Sequence, residues 1–275
     1  MPMNDVLRVS GATLFYRVRG NGPLLLILAG GHGDADTTDV LCEKLINRYT
    51  VVTYDRRGIS RSTIEATAGS PTIATHSEDV HQLLEALTPD SSIVFGSSSG
   101  ALIGLDLVTR HPKQVHILVA HEPPAWELLP DAERDRAIRA SDDVVKTFHT
   151  EGASAALQKM AALSGIDYED REPGVPLPRP SPQIAANMDF FFAHDAPAVN
   201  DYRLDIAALE VTPTRIVVAG GQSSRDSAPH RCAAALAIRL GKTLVEFPGG
   251  HTGWLLRPNG FAAELSRVVK KADHQ

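Results

Sequence analysis

Gly96-Ser97-Ser98-Ser99-Gly100 places a serine at the centre of a Gly-x-Ser-x-Gly pentapeptide. A serine hydroxyl is a useful nucleophile only when a neighbouring base takes its proton. On a sharp turn from strand to helix, Ser98 Oγ is pushed out above the sheet edge, and the flanking glycines let the chains pass without a Cβ clash. The helix that follows aims its N-terminal dipole and free N–H groups at developing negative charge. Of the eleven histidines, His251 is placed to be the base, in the glycine-rich loop Pro248-Gly249-Gly250-His251-Thr252-Gly253. It lies after the last predicted strand and follows the serine in chain order, as this arrangement requires. An anion formed at an attacked carbonyl needs N–H donors. One is the backbone N–H of Ser99. The loop Ala29-Gly30-Gly31-His32-Gly33-Asp34 supplies the other, from Gly31 or, as the fallback, His32. Such a set performs acyl transfer through a covalent serine intermediate. Out of context the pentapeptide is equally a Ser/Gly turn that caps a helix, so the surrounding elements decide.

The hydrophobic periodicity supplies those elements. Residues 6–10 and 13–18 flank Gly11 and predict a small hairpin, and Gly20-Asn21-Gly22-Pro23 is a turn. The continuous apolar run 23–29 has the pattern of a strand buried on both faces. Further strands are predicted over 50–54, 92–95, 115–120, 215–219 and 243–247. Helical patterns cover 37–47, 76–87, 99–110, 227–240 and 260–271. Alternating strands and helices predict a largely parallel sheet wrapped by helices. The serine pentapeptide falls between a strand and a helix, the context its chemistry needs.

The alternation breaks between Pro123 and Glu210. Residues 133–149 and 152–163 read as helices, and 173–182 holds five prolines in ten residues, which excludes regular helix and central strand. Residues 181–194 read as a further helix carrying Phe190, Phe191 and Phe192. Because the α/β pattern resumes at Val211, this stretch is an insertion lying over the main sheet.

Composition narrows the function classes. The chain has 275 residues, 43% of them apolar and 22% charged, which excludes wholesale disorder. Its net charge of −6, without a basic block, argues against nucleic acid as a partner. Two cysteines, Cys42 and Cys232, make no disulfide framework and suit a reducing compartment. The N-terminal Met-Pro-Met-Asn-Asp lacks the pattern of a signal peptide, and the apolar run at 24–29 is far too short to span a membrane. The expectation is a cytoplasmic protein with no membrane partner. No P-loop motif is present. Asp34 and Asp36 lack the rest of a metal ligand set and are expected to cap the next helix. His76 and His81, five apart on a helix, are expected at the surface.

The pentapeptide and its companions resemble the α/β-hydrolase fold superfamily over nearly the whole chain. Gly96–Gly100 looks like that family's nucleophile elbow and Gly249-Gly250-His251 like its catalytic-histidine loop. Tyr54-Asp55-Arg56-Arg57-Gly58-Ile59-Ser60-Arg61-Ser62 resembles its Asp-x-Arg-Gly-x-Gly-x-Ser segment, with Ile59-Ser60 in place of the usual x-Gly. Gly30-Gly31-His32-Gly33 resembles its His-Gly oxyanion segment, with Ala29 where the histidine usually stands. The resemblance implies an eight-stranded, mostly parallel sheet flanked by helices, with a core of 1–122 and 211–275 and an inserted helical cap at 123–210.

It also implies a triad acid, usually in Gly-x-x-Asp after the seventh strand. Here that region reads Gly220-Gly221-Gln222-Ser223-Ser224-Arg225-Asp226, with serine at the expected place and Asp226 two residues late. Some members carry a glutamate at the end of the sixth strand instead, and Glu122 matches that position. Glu122 is preferred, with Asp226 as the alternative. The implied activity is hydrolysis of a small-molecule ester, lactone or thioester through Ser98, His251 and the acid, without metal or organic cofactor. Serine in place of aspartate disfavours the epoxide hydrolase and haloalkane dehalogenase chemistries of related members. The same fold hosts perhydrolases, lyases and carbon–carbon bond hydrolases, and also small-molecule receptors, so these stand as rivals. Trp126 and Phe191 are candidates to line an apolar substrate pocket, packing of the cap's own core being the competing role. The partner expected is a small-molecule substrate, with homodimerisation left open.

Overall fold

Apolar strands that read as continuously buried need cover on both faces, and helices provide it. The computed structural model describes residues 3–273; Met1 and Pro2 of the N-terminal stretch, with His274 and Gln275, lie outside the described residues. The strands are β1 (Met3–Val9), β2 (Ala12–Gly20), β3 (Leu24–Leu28), β4 (Thr50–Tyr54), β5 (Thr63–Ile64), β6 (Ser92–Ser97), β7 (Val115–His121), β8 (Arg215–Gly221) and β9 (Val245–Phe247). All nine belong to one sheet, eight of them in the order β1-β2-β4-β3-β6-β7-β8-β9 and the two-residue β5 paired off that path with β2. The β1–β2 and β2–β4 pairs are antiparallel, and from β4 to β9 every pair is parallel.

The helices outside the insertion are α1 (Asp39–Leu45), α2 (Ile73–Leu87) and α3 (Ser99–Arg110) before it, and three more after it. Within the insertion lie a 3-10 turn (Trp126–Leu128), α4 (Asp131–Glu151), α5 (Ala153–Ser164), α6 (Pro182–Phe190), a π-turn (Phe191–Asp195), α7 (Ala196–Asp201) and α8 (Ile206–Val211). The last three are α9 (Ala228–Arg239), α10 (Gly253–Leu256) and α11 (Pro258–Asp273). Residues 173–181 carry neither helix nor strand. No helix among the described residues is long and apolar enough to cross a membrane.

The period-two alternation of the strands divides the core into two layers. Leu26 and Leu28 of β3, Val94 of β6 and Leu118 and Ala120 of β7 pack with α2, α3 and α9. Leu25 and Ile27, Ile93 and Phe95, and Ile117 and Val119 face the other way, onto α1 and α11. Each fully buried large apolar side chain contributes about 1.5–3 kcal/mol, so this sheet is the rigid floor of the molecule. The insertion has a smaller core of Val144, Ala156, Phe191, Phe192 and Ala196. The expected elements recur with ends shifted by a few residues, but periodicity does not show β5, α7 and α10, nor the helix α8. It runs across residue 210, so the expected boundary falls inside a helix, and its Leu209 packs into the layer over α3. Six residues of Ala-Ala-Leu-Glu type are too few for a readable period. Both cysteines are buried and free.

Candidate active site

The carboxyl edge of the parallel sheet is where open α/β sheets gather their chemistry. There β6 ends at Ser97, Ser98 takes φ 56° and ψ −122°, and α3 begins at Ser99. A side chain at positive φ is strained, and three non-glycine residues among those described hold it: Ser60, Ser98 and Glu122. Two of the three are candidate site residues. The elbow closes because its glycines have no Cβ: one on Gly100 would stand 2.1 Å from the Leu28 carbonyl oxygen, and one on Gly96 2.4 Å from the Gly100 carbonyl oxygen. The Ser98 N–H donates to the His121 carbonyl at 2.9 Å, which ties the turn to the neighbouring strand end.

His251 sits between β9 and α10 and is buried. Its Nδ1 lies 2.6 Å from Glu122 Oε2. Glu122 follows β7 directly, at φ 49°, and its N–H donates to the Ala219 carbonyl of β8 at 3.0 Å. The other carboxylate oxygen accepts from the Gly221 N–H at 2.7 Å and the Ser224 hydroxyl at 2.5 Å. Burial alone would raise the Glu122 pKa, but the hydrogen bond from His251, the nearby imidazoles and the Ser224 hydroxyl outweigh it and bring it down to about 2. Glu122 is therefore an ionised, fully enclosed carboxylate hydrogen-bonded to the imidazole at Nδ1. Asp226 is exposed, and among the described residues no hydrogen bond or ion pair joins it to His251. Ser224, within the stretch where the family's acid usually stands, instead donates to Glu122, a contact that the sequence does not reveal. Ser98 and His251 border the same cavity, and no hydrogen bond joins them among the described residues.

The glycine loop after β3 comes to the same place. The Gly31 N–H donates to Ser99 Oγ at 3.2 Å, so the loop and the N-terminus of α3 converge beside Ser98. His32 borders the cavity, and burial followed by the nearby Arg56 charge pushes its imidazole pKa down. The cavity, about 510 Å³, lies between the sheet edge and the insertion. Trp126 and Phe191 both line it, and Phe191 also packs in the insertion's core.

Two expectations are corrected. His76 is not at the surface: it is 2% exposed, with Nε2 3.0 Å from Asp195 Oδ1. It shares the buried face of α2 with Ile73, Val80, Leu83 and Leu84. Its spacing to those residues, not to His81, is the usable signal. Asp34 and Asp36 do not cap α1, whose N-cap is Thr38. Asp34 accepts from Thr37 and Ser60, and Asp36 pairs with Arg17 and Arg61. Glu78, His81 and His111 bring potential ligand atoms within 4.8 Å of one another. The two imidazoles, however, are stacked 3.6 Å apart at 6°, so their in-plane lone pairs run side by side instead of converging on one ion.

A family model of the alpha/beta hydrolase fold matches residues 23–155. The chain is 39% identical over 272 residues to the uncharacterized hydrolase YraK of Bacillus subtilis (strain 168), across 98% of this chain and 96% of that one. A thermophilic esterase from Thermogutta terrifontis has the same architecture, with a TM-score of 0.73 at 16% identity over 99% of both chains. The enol-lactonase from Burkholderia xenovorans LB400 gives a TM-score of 0.70 at 23% identity over 97% of this chain and 100% of that one. With such identity along almost its whole length, and with this sheet beneath it, the chain belongs to the α/β-hydrolase fold family.

Proposed function

We propose that the protein is a serine hydrolase that cleaves a small-molecule carboxylic ester, lactone or thioester through an acyl-enzyme. The observation that carries this reading is the buried His251–Glu122 pair, 2.6 Å apart, at the cavity that also holds Ser98 on its strained elbow. His251 Nε2 takes the proton of Ser98 Oγ as that oxygen attacks the carbonyl carbon. Glu122 fixes the imidazole tautomer and stabilises the imidazolium. The Ser99 and Gly31 N–H groups hold the oxyanion, which takes the place of Ser99 Oγ as acceptor for Gly31. His251 returns the proton to the leaving alcohol or thiol, then activates a water that hydrolyses the acyl-serine. The helical insertion serves as a cap. Leu157, Met160, Met188 and Phe191 make its side of the cavity apolar, which suits an uncharged acyl or alcohol group. Support also comes from similar proteins named as an esterase and an enol-lactonase.

A fluorophosphonate probe read by intact mass tests the reading. One adduct on the wild-type protein, absent from Ser98→Ala and slowed at least ~100-fold in His251→Ala, is expected. A folded wild-type protein that takes no adduct and turns over no aryl ester or lactone would sink it.

A further inference from the structure

The loop that carries Gly31 is held from outside by one buried side chain. Arg56, 3% exposed, donates from Nη1 to the Ala29 carbonyl at 2.8 Å and from Nη2 to the Gly31 carbonyl. A trans peptide plane carries its C=O and N–H in opposite directions. Holding these two carbonyls therefore fixes the planes on both sides of the Gly30–Gly31 peptide. That middle plane is fixed in turn by the Gly30 carbonyl, which accepts from the Gly33 N–H at 3.1 Å. Glycines at 30, 31 and 33 give the loop little stiffness of its own.

The guanidinium is held by the insertion. Arg56 Nε and Nη2 donate to Asp195 Oδ2 at 3.3 and 3.1 Å. Asp195 ends the π-turn, is 3% exposed, and meets His76 with its other oxygen. Burial would raise the Asp195 pKa, but His76 and Arg56 outweigh it and keep the carboxyl below its ordinary value. A buried ion pair is costly to break from one side, because the charge left behind is uncompensated, so the two segments are held together. A π-turn inserts one extra residue and re-aims the side chains around it, a feature frequent at functional sites. Two contacts seat the insertion on the same segment of the core. The Ser60 N–H donates to Asn187 Oδ1 at 3.0 Å, and the Phe190 ring lies over Gly58, where a Cβ would stand 2.2 Å away.

From this arrangement we infer that Arg56 is the positioning residue of the oxyanion loop and that Asp195 of the insertion holds it, so the Gly31 N–H is aimed only while the insertion is seated. The inference rests on the acyl-transfer reading for its catalytic consequence, not for its mechanical part. Arg56 touches no reacting atom; it acts through the loop.

The test compares Asp195→Asn, Arg56→Lys and Arg56→Gln with the wild-type protein by two readouts. Amide exchange of a peptide spanning the glycine loop, read by mass spectrometry, reports the mechanical part. Kinetics with p-nitrophenyl butyrate report the catalytic part. Expected is loop exchange faster by about tenfold in Asp195→Asn and more in Arg56→Gln, with the central strands unchanged. The kcat per folded protein, with the folded fraction read by circular dichroism, should fall by about 10- to 100-fold with KM within threefold. Arg56→Lys, which can reach one carbonyl but not bracket two, should fall between. If Arg56→Gln does not fold, the near-isosteric Asp195→Asn carries the test. Unchanged loop exchange in folded Asp195→Asn overturns the inference, as does a kcat equal to wild type. A wild-type protein that fails to acylate Ser98 refutes the acyl-transfer reading alone, and loop exchange then decides the coupling by itself.

Discussion

Glu122 occupies a site that a carboxylate enters only with partners. It is buried at a positive φ, and three donors converge on its oxygens: His251, the Gly221 N–H and Ser224. Held at about 2, its pKa keeps it ionised throughout the working range of a protein. Glu122→Gln keeps the shape and removes the charge. The kcat for an aryl ester should fall by about 10²–10⁴-fold, while Asp226→Asn stays within twofold, Asp226 being exposed. Equal losses in the two variants would mean that the loop after β8 rearranges in solution. Both carboxylates are readable from the sequence as candidates. What separates them is backbone geometry that spacing cannot express: the sharp turn at Glu122, its N–H on β8, and a serine that donates to Glu122 where an acid is expected. Ser60 teaches the same lesson. It stands where the family's pattern has glycine and keeps φ 49°, held by hydrogen bonds with Asp34 and Asn187. A residue that departs from a motif can preserve the motif's conformation when partners offset the strain.

At the scale of elements, the strand–turn–helix unit around Ser98 works because its members approach more closely than side chains allow. Gly100→Ala would press a Cβ into the Leu28 carbonyl, which belongs to β3 and cannot rotate away. We expect a destabilisation of about 1–3 kcal/mol, seen as a lower melting temperature, together with loss of fluorophosphonate labelling. A variant that labels at the wild-type rate would show that the elbow is more pliant than this packing implies. The core elements are legible because strands and helices repeat their burial along the chain, as α3 does over Ser99–Arg110. The insertion is less so. Its π-turn and the short α8 have no period of their own, and their positions follow from tertiary partners: Phe192 in the insertion's core, Leu209 against the main sheet's layer. His76 defies the sequence for a related reason. A histidine on an apolar stripe is buried only if something waits for it, and Asp195 lies 119 residues away in sequence.

For the molecule as a whole, the sheet's rigidity carries an acid-sensitive cost at His121. The ring is fully enclosed among Phe95, Phe247 and Phe261, and neither ring nitrogen has a hydrogen-bond partner among the described residues. Desolvation lowers its pKa to about 4 from an ordinary 6.5, with Glu122 pulling the other way and His251 and His230 adding repulsion. The folded state therefore refuses a proton that the unfolded chain accepts. Between about pH 6.5 and pH 4 the unfolded state binds more protons, so stability rises with pH across that window and falls as the solution is acidified. The full swing is on the order of 3 kcal/mol, because each pH step of one across the window contributes about 1.4 kcal/mol. His121→Phe keeps an aromatic ring among aromatic neighbours and cannot titrate, and the strain of its larger ring enters equally at both pH values. Urea unfolding of both proteins at pH 7.5 and pH 4.5 checks the claim: the wild-type protein should lose about 2–3 kcal/mol more than the variant on acidification, at equal m-values. Parallel losses in the two proteins would remove His121 as the source. The groups in contact with His251 would then be next to test, because the layer that buries His121 ends at the strand tip that carries Glu122.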